Sequence, residues 1–283
     1  MPEPSDQGNL VTGRSGDPLM RKALLLAAMA FAVIARPVAA PPTPVVVELF
    51  TSEGCESCPP ADLLLQQLAS TQPVTGAQVI PLSLHVDYWD QLGWKDRFSS
   101  AALTNRQRMY GTRFNIDSVY TPQMVVDGRS ELVGSDGAAA RKAVARAATG
   151  AHGSIQIRVD RASGAVTVVA ADVPPHSDRA DIIVAVAEDR LQSNVTRGEN
   201  HGRTLTHVAV VRRLVTIGEI AAGDVCRGGA CSARTDVAID PAWKREDLRI
   251  VAFVQERRGG AILAAATTPF EPSTPSRDAL RRP

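Results

Sequence analysis

The sequence predicts an α/β chain: a mixed sheet with helices on both faces over residues 45–150, then a β-sandwich-like domain over residues 154–270. Three observations carry this reading. In the first half the apolar runs follow the order strand, helix, strand, helix, strand, strand, helix, which calls for a mixed sheet covered by helices. At Gly150-Ala151-His152-Gly153 the composition shifts, and the chain beyond this point is nearly free of helical periodicity. A length of 283 residues, 44% hydrophobic and 22% charged, suits two modest globular domains.

Residues 1–40 read as an N-terminal extension ending in a signal peptide. Met20-Arg21-Lys22 supplies a basic start, Ala23 to Ala35 an apolar run, and Val38-Ala39-Ala40 small residues for cleavage. The run is shorter than the ~20 residues a membrane-spanning helix needs, and Arg36-Pro37 breaks it. The expectation is an exported chain, initiated at Met20, with no stable membrane span after cleavage.

Val45 to Phe50 is a β-branched strand run interrupted by one acid, Glu48. Thr51 to Gly54 form a turn. From Cys55 the pattern turns helical: Pro59 and Pro60 fit a first turn, and Ala61, Leu64, Leu65 and Leu68 form one face. Gln78 to Val86 is a second strand. Ser99 is placed to cap a helix reaching about Phe114. Tyr120 to Asp127 is a third strand, and Asp127-Gly128 a hairpin turn into a fourth that runs through Val133. Ala138 to Ala148 is an Ala/Arg-rich helix. Beyond it, Ile155–Val159, Val166–Ala171, Asp181–Ala187, Leu205–Leu214, Arg249–Gln255 and Ile262–Ala266 read as short strands of a sandwich. Residues 271–283 are rich in Pro, Ser and Arg and read as a disordered tail.

With 31 basic and 30 acidic residues the formal charge is +1, so no electrostatic footprint for nucleic acid is present. The four cysteines fall into two close pairs, Cys55/Cys58 and Cys226/Cys231. An exported protein meets an oxidising compartment, so both pairs are expected as disulfides. Neither closes a long loop, and by the chain-entropy argument neither is an efficient staple. Cys55-Glu56-Ser57-Cys58 lies where a strand hands over to a helix. Unpaired N–H groups and the helix dipole there favour a thiolate, the attacking species in disulfide exchange. A second thiol one turn on can resolve the mixed disulfide.

The stretches VVVELFTSEGCESC (Val45 to Cys58) and VYTPQMVVDGR (Val119 to Arg129) resemble the first strand, active-site turn and cis-proline loop of the thioredoxin superfamily. With HVDYWDQLGWKDRFSS and TRGENHGRTLTHVAVV, they look closest to a bacterial group of secreted thioredoxin-like proteins, the domain of unknown function numbered 1223. The resemblance spans Val45 to about Phe270. It implies a thioredoxin-like fold, with Cys55 as nucleophile, Cys58 as resolving thiol and Pro122 shaping the substrate edge. It also implies a proton-transfer role for Glu48, with an offset of one residue, and a periplasmic or secreted location. The chain departs from thioredoxin in having Gly54 before the pair and Glu56-Ser57 within it, so no redox potential carries over.

The remaining candidates are weighed against plainer roles. His85 can carry a proton to the dithiol, or pack under the aromatics of Asp87-Tyr88-Trp89-Asp90. Trp89 and Trp94 wall a cleft or fill a core. Cys226/Cys231 is a structural disulfide, a second redox pair, or half of a four-thiolate metal site. His201 and His207 belong to an interdomain site or to exposed strand and loop. The leading expectation is a thiol–disulfide oxidoreductase acting on exported proteins or small thiols, with an unidentified redox partner, no cofactor and no metal. The alternatives are a periplasmic copper-binding protein using Cys55, Cys58 and His85, and a non-enzymatic binding domain with structural disulfides.

Overall fold

The structure is a computed structural model and describes residues 41–257 and 260–271. The signal-peptide reading, and nearly all of the expected C-terminal tail, lie outside the described residues. Among those residues no helix is long and apolar enough to cross a membrane.

The described chain is mostly β, with thirteen strands and three α-helices. In chain order these are β1 (Thr43–Thr51), α1 (Pro59–Thr71), β2 (Ala77–His85), α2 (Ala101–Arg113), β3 (Gln123–Val126), β4 (Ser130–Val133) and α3 (Gly137–Ala148). Next come β5 (Ser154–Asp160), β6 (Ala165–Ala171), β7 (Ala180–Glu188), β8 (Leu191–Asn194), β9 (Thr204–His207), β10 (Val210–Ile220), β11 (Cys231–Asp236), β12 (Leu248–Glu256) and β13 (Ile262–Pro269). Eight strands form one mixed sheet in the order β13-β12-β7-β10-β2-β1-β3-β4. A three-stranded sheet, β11-β6-β5, stands apart from it, and β8 and β9 pair only with each other.

This overturns the expected fold class. The chain is not a helix-rich, thioredoxin-like α/β domain followed by a separate sandwich, because one large sheet runs through both halves. The junction is β10, which lies parallel to β2 with Val210 opposite Ser83, and Ser83 N–H donates to Ala209 O at 2.8 Å. Strands from the second half thus continue the sheet of the first. β2 is apolar on both faces, as expected of a strand buried between parallel neighbours.

Alternation along β1 divides the core. Val45, Val47 and Leu49 face α1 and α3, whereas Val46 and Phe50 face α2, where Leu103 and Tyr110 meet them. The second core continues under β7, β10, β12 and β13. On the first side of the sheet the three-stranded sheet covers the same strands, packing Val166, Val168 and Ala170 against Val184, Ile250 and Ala252. Smaller shifts also occur. Ser100, not Ser99, caps α2 with its hydroxyl accepting from Leu103 N–H. Cys58, not Cys55, is the N-cap of α1, and Pro59 opens the helix.

Glu48 points into the α2 side of β1. It is fully buried and held by Arg106, whose Nε donates to Oε1 at 2.5 Å and whose Nη2 donates to Oε2 at 3.0 Å. Tyr110 donates its hydroxyl to the same carboxylate, and Gln255 Nε2 donates to Tyr110. Replacing Arg106 by Ala leaves a buried carboxylate without its counter-ion. We expect a loss of about 3–5 kcal/mol in denaturant unfolding, while Arg108→Ala on the exposed side of α2 stays within about 0.5 kcal/mol.

Candidate functional site

The parallel β1–β2 ladder aligns Thr51 with His85, so the turn after β1 and the loop after β2 leave the sheet at the same end. In the β1 turn, Cys55 N–H donates to Ser52 O and Cys58 N–H to Cys55 O, each at 3.2 Å. Cys55 and Cys58 form a disulfide with Cα atoms 5.4 Å apart. Pro59 and Pro60 follow, and Ala61 and Asp62 donate to Cys58 O, starting α1.

Three segments enclose the corner. The loop after β2 brings Trp89 against Gly54, where a Cβ would stand 3.2 Å from that of Trp89. The Trp89 indole donates to Thr121 at 2.8 Å, beside the cis Thr121-Pro122 bond. Pro122 is buried next to the first turn of α1. A Cβ on Gly134 would lie 3.0 Å from Pro122 and 3.2 Å from Ala61. The β8–β9 hairpin covers the remaining side. Asn200 Nδ2 donates to both Glu53 O and Cys55 O at 2.9 Å, and Glu56 N–H donates to Glu199 Oε2 at 3.0 Å. Both cysteines are 0% exposed in this arrangement.

Beneath the hairpin lies a buried group of three acids and two histidines. His85 Nδ1 sits 2.6 Å from Asp96 Oδ2, which also accepts from Glu53 N–H, while Oδ1 accepts from Phe98 N–H. His207, on β9, places Nε2 3.3 Å from Glu53 Oε1 and its ring 4.9 Å from that of His85. Trp94 donates its indole N–H to Glu53 Oε2 at 2.8 Å. Asp62 completes the group from α1. His85 Nε2, His207 Nδ1, Asp62 Oδ1 and Thr51 Oγ1 are buried without hydrogen-bond partners, and His207 Nε2 and Glu53 Oε1 have only each other.

Burial alone would raise Asp96, but the charge and hydrogen bond of His85, with two backbone N–H donors, hold it down at about 2. Burial alone would lower His85, yet Asp96, with Asp62 and Glu53 beyond it, raises it. Glu53 is lowered: burial pushes it up, and the facing His207 and Trp94 outweigh burial. Asp62 is raised, chiefly by burial, against the pull of His207 and His85.

The structure thus brings Cys55, Cys58, Pro122 and His85 to one corner, together with Trp89, Trp94 and His207. Glu48 is not among them. Its side chain lies on the α2 face, whereas α1 carries Cys58 and Asp62 on the opposite one, so the proton-transfer role expected of Glu48 has no geometric basis. Cys226 and Cys231 form a second disulfide, Cα atoms 5.2 Å apart, in the different core beneath the three-stranded sheet. Among the described residues, one set of three metal-type donors lies within 4.8 Å of one another: Asp224, Cys226 and Cys231. Its two sulfurs are joined to each other, so it offers no thiolate pair. His201 is exposed on the hairpin. The residues missed from the sequence are Glu53, Asp62, Asp96, Glu199 and Asn200. Asp62 had a signal in its spacing of four from Cys58, and Asn200 in the Gly/Asn-rich run between two strands.

Fold and site together define a mixed-sheet protein with a two-residue-spaced disulfide buried at a strand-to-helix corner. The chain belongs to the family described as Protein of unknown function (DUF1223), which matches residues 46–255. Among solved structures it is similar to protein AGR_C_4864 from Agrobacterium tumefaciens at 26% identity and a TM-score of 0.64, covering 83% of this chain and 98% of that one. It is also similar in fold to HBP35 of Porphyromonas gingivalis, at 15% identity and a TM-score of 0.56 over 84% of this chain and 78% of the other. No curated protein matches.

The His85–Asp96 pair gives a signed pH dependence. Asp96 lies below its ordinary 3.8, so its contribution is complete above that value and is lost as pH falls toward about 2. His85 lies above its ordinary 6.5, so its contribution is complete below 6.5 and is lost as pH rises through the folded value. The stability difference between wild type and Asp96→Asn, from denaturant midpoints, is therefore expected to peak between about pH 4 and 6.5 and shrink on both sides.

Proposed function

We propose that this protein is a thiol–disulfide exchange protein working through Cys55–Cys58 on exported proteins or small thiols. The observation that carries the reading is the company this disulfide keeps. It closes too short a loop to stabilise the chain much, yet the turn and helix that carry it also carry Glu53 and Asp62 into a buried group of acids and imidazoles in which His85 Nε2, His207 Nδ1 and Asp62 Oδ1 have no hydrogen-bond partner. A staple needs none of these groups, whereas a sulfur that must gain and lose charge does. Pro122 borders the same corner. Exported substrates fit the basic and apolar stretch from Met20 to Ala35, which is a sequence argument alone.

In the closed arrangement both sulfurs are covered, so exchange requires the β8–β9 hairpin to lift. It is built for separation. It pairs with no other strand, and its loop closes on itself through Val195 N–H to Arg203 O and Gly202 N–H to Val195 O. Clefts of about 130 Å³ and about 350 Å³ run along its seam with α1. Asn200 is the latch.

Equilibration of the mature protein in thiol buffers is expected to show a reversible Cys55–Cys58 couple. Cys55→Ser is expected to abolish exchange, and Cys58→Ser to accumulate mixed disulfides. A pair that opens only on global unfolding would sink the proposal. Asn200→Ala removes two hydrogen bonds from the latch, together worth about 1–3 kcal/mol. Reduction by dithiothreitol is expected to speed up about tenfold, measured by stopped-flow or by trapping of free thiols.

A further inference from the structure

We infer that the corner beneath the β8–β9 hairpin receives a basic side chain of the substrate, arginine before lysine, an inference that rests on the exchange reading above. The hairpin shows what a ligand of this corner must supply. Docked, it sets nitrogen against buried oxygen at three points: Asn200 Nδ2 donates to Glu53 O and to Cys55 O, each at 2.9 Å, and His207 Nε2 faces Glu53 Oε1 at 3.3 Å. It also sets one acceptor, Glu199 Oε2, on Glu56 N–H, and that contact is exposed.

Exchange uncovers the sulfurs by lifting the hairpin, and all of these contacts leave with it. Water replaces the exposed contact at little net cost. The buried ones differ. A substrate segment that settles where the hairpin lay excludes water again, and a buried carboxylate without a counter-ion is costly. Glu53 is the acid left in that position. Asp96 keeps His85 at 2.6 Å, and Glu48 keeps Arg106 on the other face of the sheet. Burial raises Asp62, against the pull of His207 and His85, which favours its neutral form. Glu53 keeps the Trp94 indole at 2.8 Å, a neutral donor, and loses its imidazole.

Arginine matches the set of donors that departs. Its guanidinium carries five N–H donors in one plane, so it can pair with a carboxylate and still donate to a carbonyl oxygen nearby. Lysine brings the same charge as a point with three donors. The two carbonyls vacated by Asn200 belong to Cys55 and to Glu53, two residues before it, so the basic residue belongs beside the substrate cysteine. With a formal charge of +1 the chain exerts no long-range attraction on cations, and a preference for them comes from the site itself.

The test uses short peptides with two cysteines that differ in one residue beside the first: Arg, Lys, Ser or Glu. In one arm the reduced wild-type protein meets the peptides as disulfides, and in the other the oxidised protein meets them as dithiols. In either arm one disulfide becomes two thiols as two thiols become the other disulfide, so electrons and protons balance. Each rate is divided by that of the same peptide with glutathione, in its disulfide or thiol form, which removes intrinsic reactivity. The Arg peptide is expected to exchange at least about tenfold faster than the Ser peptide, with Lys between them and Glu slowest. Part of the advantage is expected to persist at about 1 M salt, where exposed charges are screened. Glu53→Gln is expected to bring the Arg and Ser peptides within about twofold of each other. Arg and Ser peptides within about twofold in the wild type, a Glu peptide that is fastest, or an advantage abolished by salt overturns the inference while exchange itself stands. An advantage undiminished in folded Glu53→Gln overturns it as well, and the wild-type series decides the matter if that variant fails to fold. Exchange in neither arm with any peptide overturns the underlying reading instead.

Discussion

The parallel pairing of β1 with β2 is the constraint on which the site depends. Because the two strands run together, their carboxyl ends emerge side by side, with Thr51 opposite His85. Because side chains alternate, one register decides which face each residue serves. Val47 and Leu49 must meet α1 while Val46 and Phe50 meet α2. Slipping the pairing by one residue would bury Thr51 under α2 and turn His85 away from Asp96. The same ladder fixes the hairpin. β10 joins at Ser83, the chain turns at Ala209 with φ near 50°, and His207 is left 4.9 Å from His85. One hydrophobic register therefore places sulfur, imidazole and carboxylate from four separate segments.

Two buried charge groups in the molecule differ in a way that separates structure from chemistry. Around Glu48 each carboxylate oxygen has a donor: Arg106 and Tyr110 bind the acid, and Gln255 binds both Arg106 and Tyr110. That network specifies how α2 sits on the sheet and leaves nothing idle. The group at the cysteine corner contains acids and imidazoles with several unpaired atoms. Unpaired buried polar groups cost stability, each by about 1–3 kcal/mol, and apolar side chains of similar size would pack there at lower cost. A group saturated by fixed donors has no capacity left for a changing charge, whereas atoms without a fixed partner keep that capacity.

Local features were legible in the sequence because local physics sets them. The β-branched run of β1, the prolines opening α1 and Asp127-Gly128 between β3 and β4 each follow from backbone preference, as does the closeness of Cys55 to Cys58. The sheet that joins the two halves was not legible. It hinges on β10 meeting β2 over a very short ladder, and an apolar strand such as β2 does not advertise which neighbour lies on either side. Glu48 was misplaced for a related reason. An acid in a buried strand is visible in the sequence, but the face it occupies depends on a register set by distant residues. Asn200 reaches Cys55 across 145 positions, and no periodicity reports such a contact.

The hairpin ties these arguments together. A cover made from a strand of the main sheet could leave only by breaking the ladder, at the cost of the core beneath. β8 and β9 form no such ladder with the main sheet. They hold the corner by polar contacts from Asn200, Glu199 and His207, with Arg97 donating to Gln192 O, and by the buried side chains of Val195 and Leu205. The polar contacts exchange for water at little net cost, so burial of those two side chains is what lifting must overcome. The segment that seals the sulfurs also carries His207 onto the buried acids, so lifting it would uncover the disulfide and hydrate the charges beside it together. On the exchange reading proposed above, exclusion of solvent from the resting disulfide and admission of a substrate thiol would fall to this one short element, and the sheet that builds the corner would not need to move.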